Sequence, residues 1–394
     1  MPNNPYNYEQ PSENALTSFR LTEPPLGFVD DPYPWYALLR LHNPVHQLGG
    51  KSYFLTRYDD VLTAYRDPRT SSDKKAEFTP KFGDSPLLEH HTTSLVFNDP
   101  PLHTRVRRLI MGALNQRAIQ KMEEGLIKLI DELLDDMENL EAVDIIRHFA
   151  ARIPIEVIGN LLDVPRDERQ PLRGWSLAIL SALEPAPEKS VLQAGNNAVV
   201  AFTDYLKLLV ADRRRSPGDP ASDVLTRLIS EKEGGEKLTE AELLHNCIFL
   251  LNAGHETTTN LIGNGVYALI KHRDQLELLA AQPQLADYAV EELLRYESPL
   301  QLNNRLTTET MVIGDTTIPA DSFLTLGVGA ANRDPDCFEA PNRLNIGRSP
   351  NNHLAFGQGR HACSGMNVAR LEGRIAFGRL VARFPAIDLA GTPE

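Results

Sequence analysis

Phe356-Gly357-Gln358-Gly359-Arg360-His361-Ala362-Cys363-Ser364-Gly365 is the stretch around which this 394-residue chain is organised. It sets one thiol in a glycine-hinged loop. Glycines let the backbone take positive φ and come close to a flat ligand, while Phe356 adds an aromatic wall and His361 a cationic or hydrogen-bonding handle. Beyond the loop, Met366, Val368, Leu371, Ile375 and Leu380 recur at helical spacing. Cys363 therefore falls at or just before a helix N-terminus, where N–H groups and the helix dipole stabilise a thiolate.

A thiolate held this way suits an axial ligand on haem iron, where its electron donation favours O–O cleavage. The other cysteines, Cys247 and Cys337, lie far off and show no Cys-x-x-Cys spacing of zinc or iron–sulfur ligation. The pattern Phe-x-x-Gly-x-His-x-Cys-x-Gly resembles the haem-binding loop of the cytochrome P-450 family, position for position.

A second signal lies upstream. Ala253-Gly254-His255-Glu256-Thr257-Thr258 interrupts a long apolar helical pattern with an acid and two hydroxyls. A Thr257 hydroxyl can bond the carbonyl four residues back, Ala253, and so bend or open the helix to admit oxygen and a proton-carrying water. The run resembles the family's oxygen-activation motif, small-Gly-x-acid-Thr. Third, Glu292 and Arg295 stand at i, i+3 on one helix face, about seventy residues before Cys363. In the family such a Glu-x-x-Arg pairs with a further residue downstream, for which Arg343 is a candidate and Arg333 an alternative.

Composition bounds the rest. Hydrophobic residues make up 42% and charged residues 24%, ordinary for a globular protein. A net charge of −13 and a pI near 5.4 argue against a broad nucleic-acid surface. Sparse cysteines point to a reducing compartment. The polar segment from Met1 to Arg20 lacks the pattern of a signal peptide, and no apolar run reaches membrane-spanning length. A cytoplasmic protein without a membrane anchor is expected.

Along the chain, residues 1–30 read as an irregular arm and residues 31–394 as one domain. Helical spacing is expected over Tyr33–Leu41 and Asp59–Tyr65, with a hairpin over Val45–Tyr58 that turns at Gly49-Gly50. Asp67–Asn98 reads as a long polar loop. Helices follow at about 101–114 and 119–137, then around 143–162, 170–183, 192–214 and 221–232, separated by breakers such as Pro185-Ala186-Pro187 and Gly234-Gly235. The longest pattern runs from Thr239 to about Ile270, opened by a capping box of Thr239 and Glu242. Leu285–Tyr296 is helical, and Leu300–Val328 switches to the period of strands. The fold class is mainly α with a minor β-sheet region, its strands drawn from pieces near both ends.

The resemblance covers nearly the whole chain and implies a single-domain cytochrome P-450 fold, with haem between the long central helix and the Cys-loop helix. It implies haem b (iron protoporphyrin IX), with Cys363 as the metal ligand and His103, Arg107, Arg305 and His361 around the propionates. Ala253, Phe356 and Gly365 complete the cofactor-binding set. Thr257 and Glu256 are the expected catalytic pair, the first hydrogen-bonding dioxygen or its water, the second feeding protons. The implied activity is a monooxygenase that inserts one oxygen atom from O2 into an organic substrate of low polarity, by hydroxylation or O-dealkylation. Electrons would come from a separate ferredoxin-type partner with its reductase, docked at Arg105, Arg108, Arg117 and Lys121, and the chain would be a monomer. The alternatives are peroxide-driven or oxidative-coupling haem-thiolate chemistry, or a non-catalytic haem sensor. The family usually continues past Leu389 into a further β-hairpin, whereas this sequence stops at Pro393-Glu394; the expectation is either a trimmed chain or a different wall of the pocket there.

Overall fold

Apolar residues at three- and four-residue intervals become helices, and alternating ones become strands. The computed structural model describes residues 11–184, 186–232, 235 and 237–392; the first ten residues of the expected arm, Pro185, Gly234 and the terminal Pro393-Glu394 lie outside them. The chain passes through α1 (Tyr33–His42), β1 (Val45–Gly49), β2 (Ser52–Leu55), α2 (Tyr58–Arg66), β3 (Thr70–Ser71), α3 (Lys75–Phe82) and α4 (Pro86–Thr93). There follow α5 (Leu102–Ala113), α6 (Gln116–Glu138), α7 (Arg152–Leu161), α8 (Gln170–Ser181), α9 (Lys189–Arg215) and α10 (Val224–Ser230). The long α11 (Glu240–Lys271), α12 (Arg273–Ala281) and α13 (Ala286–Tyr296) lead to β4 (Leu302–Thr307), β5 (Met311–Ile313), β6 (Thr316–Ile318) and β7 (Phe323–Gly327), then to α14 (Val328–Ala331) and α15 (Met366–Arg383).

The chain divides into two units, one made of residues up to Ser72 with Glu291–Cys363, the other of Asp73–Val290 with the residues from Ser364 onward. The first unit holds a five-stranded sheet in the order β1-β2-β7-β4-β3. β2 runs parallel to β7, with Tyr53 opposite Leu324, and β7 runs antiparallel to β4, with Leu324 opposite Arg305. Alternation sends neighbouring side chains to opposite faces. Leu55 joins a core with Val61, Tyr65 and Leu326, while Phe54 joins one with Phe19, Phe28 and Tyr36. The segment read as an irregular arm is therefore anchored: a 3₁₀ turn at Glu13–Ser18 precedes Phe19, whose ring stacks 6.1 Å from that of Phe54. Three aperiodic apolar residues, Leu16, Phe19 and Phe28, do the anchoring, and aperiodic contacts leave no mark in a polar sequence.

In the second unit α11 is opened by the expected capping box: Glu242 N–H donates to the Thr239 hydroxyl at 3.2 Å, and Thr239 N–H to Glu242 Oε2 at 2.8 Å. α15 packs on it through a glycine. A Cβ on Gly373 would lie 3.1 Å from Val290 Cγ2 and 3.4 Å from Leu261 Cδ2, a tight fit that would press these side chains back by a few tenths of an ångström. Beside this contact the Thr258 hydroxyl donates to Glu372 Oε2 at 3.3 Å. The outer side of α15 meets the acidic face of α6 through Arg374 with Glu123 at 2.6 Å and Arg383 with Glu138 at 2.8 Å. Exposed pairs of this kind add little to stability, because water and salt screen them.

The long polar loop expected over Asp67–Asn98 is a strand and two helices, β3, α3 and α4, with a 3₁₀ turn at Leu95–Phe97. Pro80 inside α3 and Pro86 at the start of α4 read as breakers. Yet Pro86 falls in the first turn of α4, where Pro is tolerated, and the Ser85 hydroxyl caps α4 by accepting from Leu88 N–H at 3.3 Å. His90 and His91 read as polar, although both are buried.

Candidate functional site

In the first unit the Cys loop closes on itself, the Cys363 N–H donating to the Phe356 carbonyl at 2.8 Å. Gly357 and Gly359 adopt φ of 64° and 71°, the left-handed conformation expected of a glycine hinge. Gly365 does not; its φ is −93° and it serves as the N-cap of α15. His361 ends a 3₁₀ turn from Gly359, and the Phe356 ring lies 5.7 Å from that of His353. The half-buried Cys363 sits three residues before the first turn of α15, as its sequence context requires. β4 carries Arg305 inward, where it is buried and donates to the Asn304 carbonyl at 2.7 Å.

The Glu-x-x-Arg pair is in the core of the same unit. Arg295 Nε and Nη2 donate to the two oxygens of Glu292, each at 2.8 Å. The third member is neither Arg343 nor Arg333 but Arg348, whose Nε donates to Glu292 Oε2 at 3.0 Å. Arg343 contributes only its backbone carbonyl, accepting from Arg295 at 3.4 Å and from Arg348 at 3.3 Å. Arg333 is occupied elsewhere, between the rings of Tyr33 and Tyr296 at 3.7 and 3.8 Å and paired with Glu297 at 3.0 Å.

In the second unit α11 stays α-helical through the acid–threonine run, so the expected opening is not a break in the helix. What distinguishes the run is exposure. Ala253, Glu256 and Thr257 are exposed, while Leu251, Asn252, His255 and Thr258 are buried. The Thr257 hydroxyl donates to the Ala253 carbonyl at 2.8 Å, the back-bond expected from the sequence. Burial, and next the charge of Arg173, lowers the His255 imidazole to about 4, which leaves it neutral. Glu372, which sequence reasoning missed, is fully buried, and burial pushes its carboxyl up to about 8 despite the Thr258 hydrogen bond.

On α5, His103 is buried and Arg107 Nη1 donates to the Ser364 hydroxyl at 2.9 Å, tying this cation to the residue that follows Cys363. The basic patch is largely satisfied within its own unit. Arg105 pairs with Glu242, Arg117 with Asp219 at 3.5 Å, and Lys121 donates to the Ser222 hydroxyl at 3.4 Å.

These groups fit an iron porphyrin. In the first unit a half-buried thiol stands in a loop whose backbone is already folded around it; in the second, nothing lies within 4 Å of a Cβ built on Gly365. Arg107, Arg305 and His361 are the donor types that propionates require. Among the described residues no helix is long and apolar enough to cross a membrane.

Comparison with known proteins agrees with this chemistry. A family model described as Cytochrome P450 matches residues 177–389. Cytochrome P450 107B1 of Saccharopolyspora erythraea is 38% identical over 383 residues, covering 93% of this chain and 91% of the relative. Vitamin D(3) 25-hydroxylase of Pseudonocardia autotrophica is 40% identical over 367 residues, covering 92% and 89%. The solved structure of the bacillaene polyketide synthase cytochrome P450 PksS from Bacillus subtilis 168 matches with a TM-score of 0.84 at 35% identity, covering 93% of this chain and 92% of that one. Similarity of this extent, together with the loop around Cys363, shows that the chain belongs to the cytochrome P450 family of haem-dependent monooxygenases.

Proposed function

We propose that this protein inserts one oxygen atom from O2 into an organic substrate of low polarity, with Cys363 as the thiolate ligand of haem b. Bound haem supplies the redox chemistry and the cleavage of the O–O bond. His103, Arg107, Arg305 and His361 would hold its propionates, and Ala253, Phe356 and Gly365 would complete the residues that bind it. Electrons reach it from a separate ferredoxin and reductase, and the enzyme works as a cytoplasmic monomer. Relatives carry hydroxylase names, among them vitamin D(3) 25-hydroxylase and 6-deoxyerythronolide B hydroxylase, which favours carbon hydroxylation over O-dealkylation.

The observation that carries the reading is the back-bond of Thr257. Its only proton is committed to the Ala253 carbonyl at 2.8 Å, so toward the open side of α11 the hydroxyl offers lone pairs and accepts. It can therefore hold a water or a protonated oxygen in place, while the exposed Glu256 beside it exchanges protons with solvent. Positioned acid–base groups are worth on the order of a hundredfold in rate. The Thr257→Ala variant should accordingly divert most electrons into hydrogen peroxide, measured as peroxide released per product formed; coupling equal to wild type would remove Thr257 from the mechanism.

Cofactor and ligand are tested together by the carbon monoxide difference spectrum of the dithionite-reduced protein. Wild type should give the red-shifted Soret band for which the family is named, and Cys363→Ser should lose it. A Cys363→Ser protein that retained the band would exclude Cys363 as the ligand.

A further inference from the structure

Tyr65, on the last turn of α2, is a residue the monooxygenase chemistry does not use, yet it is the joint between two parts that do. It is 4% exposed. Its ring lies under the Cys loop: a Cβ built on Gly357 would stand 3.5 Å from Tyr65 Cε1, and one on Gly359 only 2.5 Å from the Tyr65 carbonyl oxygen. The loop thus comes down on α2 at Gly359 only because a side chain is absent there, while at Gly357 it is within ordinary contact of the ring. Just beyond α2, Arg360 of the loop donates to the Pro68 carbonyl at 2.9 Å, a second point of attachment.

The same ring serves β4. The Arg305 guanidinium carbon lies 5.1 Å from the Tyr65 ring centroid, within cation–π range. Asn303 Nδ2 donates to the Tyr65 hydroxyl at 3.2 Å, and Asn303 Oδ1 accepts from Arg305 Nη1 at 3.4 Å, which closes a three-residue cycle. A planar guanidinium stacked on a ring keeps its edge donors for another acceptor.

We propose that Tyr65 is a positioning residue that fixes the Cys363 loop relative to the Arg305 cation, so that one side chain of α2 governs both how tightly haem is retained and its reduction potential. This rests on the assignment of Cys363 and Arg305 to haem. A ring that spaces the thiolate loop from a propionate cation sets the charge geometry around the iron from both sides. Outer partners of this kind typically alter metal-site affinity by about tenfold or more when removed.

The test compares wild type, Tyr65→Phe, Tyr65→Leu and Arg305→Lys as holoproteins, by haem transfer to excess apomyoglobin and by spectroelectrochemical reduction potential. Tyr65→Phe keeps the shelf and the cation–π face and should release haem within about twofold of wild type. Tyr65→Leu should release it about tenfold faster and shift the potential. Arg305→Lys keeps the charge but not the planar stack, so it should reproduce the Leu result even if Tyr65→Leu fails to fold. A Tyr65→Leu or Arg305→Lys protein with wild-type release and potential overturns the proposal, whatever its melting temperature, because a core-filling tyrosine would lower stability alone. A wild type without the red-shifted carbon monoxide band overturns the haem-thiolate reading and this inference with it; a normal wild-type band with unchanged variants overturns this inference only.

Discussion

Glu292→Ala should cost about 3–5 kcal/mol, enough to bring the protein to the edge of unfolding at room temperature. The carboxylate is 0% exposed and is the hub of five donors: two from Arg295, one from Arg348 at 3.0 Å, the Asn345 N–H at 2.9 Å and Asn351 Nδ2 at 3.1 Å. Taking it away leaves Arg295, also 0% exposed, as a charge without its counterion. The remaining bonds of Arg295 to the Asn332 and Pro341 carbonyls, at 2.9 and 2.8 Å, solvate that charge without neutralising it. Arg348→Leu is the informative control. Arg348 lies nearer the surface, its removal leaves the Glu292–Arg295 pair intact, and it should cost less than half as much. Urea midpoints of the two variants measure the difference; equal losses would mean that the outer guanidinium matters as much as the buried charge.

Acidification should weaken the protein below pH 6.5, and the cause is a buried imidazole cluster. His90 and His91 are each 2% exposed and His245 is 4% exposed, with ring centroids 4.9 Å apart for His90 and His91 and 5.6 Å for His90 and His245. Burial holds all three below the ordinary imidazole range. For His90 the neighbouring imidazoles add to it; His91 is brought to about 3, with Lys81 and then His245 contributing. For His245 the carboxylate of Glu89, 3.6 Å away, works in the opposite direction. His255 adds a fourth depressed imidazole, at about 4. The unfolded chain takes up protons near pH 6.5 that the folded chain refuses, so each histidine withdraws about 1.4 kcal/mol per pH unit as pH falls through that window. Glu372 has the opposite sign. Its carboxyl, raised to about 8, is protonated in the folded state while an unfolded carboxyl is not, so it adds stability as pH falls from 8 toward 4.5. Four histidines outweigh one glutamate, and stability should peak near pH 6.5. His91→Phe, which keeps an aromatic against Phe78, Phe82 and Phe97, should flatten the acid limb by about 1.4 kcal/mol per pH unit in urea titrations. An unchanged slope would place the acid sensitivity elsewhere.

The parts legible in the sequence are those encoded locally. The capping box at Thr239, the glycine hinge before Cys363 and the Thr257 back-bond each span five residues or fewer, and each is found as expected. Arg348 was not legible, because three arginines, at 333, 343 and 348, lie between Ala331 and Pro350, and only the path of an irregular segment decides which one turns inward. Tyr65 was missed for the same reason: nothing around residue 65 announces glycines nearly three hundred positions later. The imidazole cluster misled in another way, since His90 and His91 raise the apparent polarity of a helix whose interior they fill.

The parallel pairing of β2 with β7 fixes the order in which the molecule can be finished. Tyr53 meets Leu324 only after 270 intervening positions have been made, which at 5–20 residues per second takes roughly tens of seconds. During that interval Phe19 and Phe54, later deep in a core, have no sheet to rest on. The whole of Asp73–Val290 emerges from the ribosome while the first 72 residues wait for their partners. Pairings so distant in sequence are slow to form, and the N-terminal strands are the part of the nascent chain that most needs shelter from aggregation.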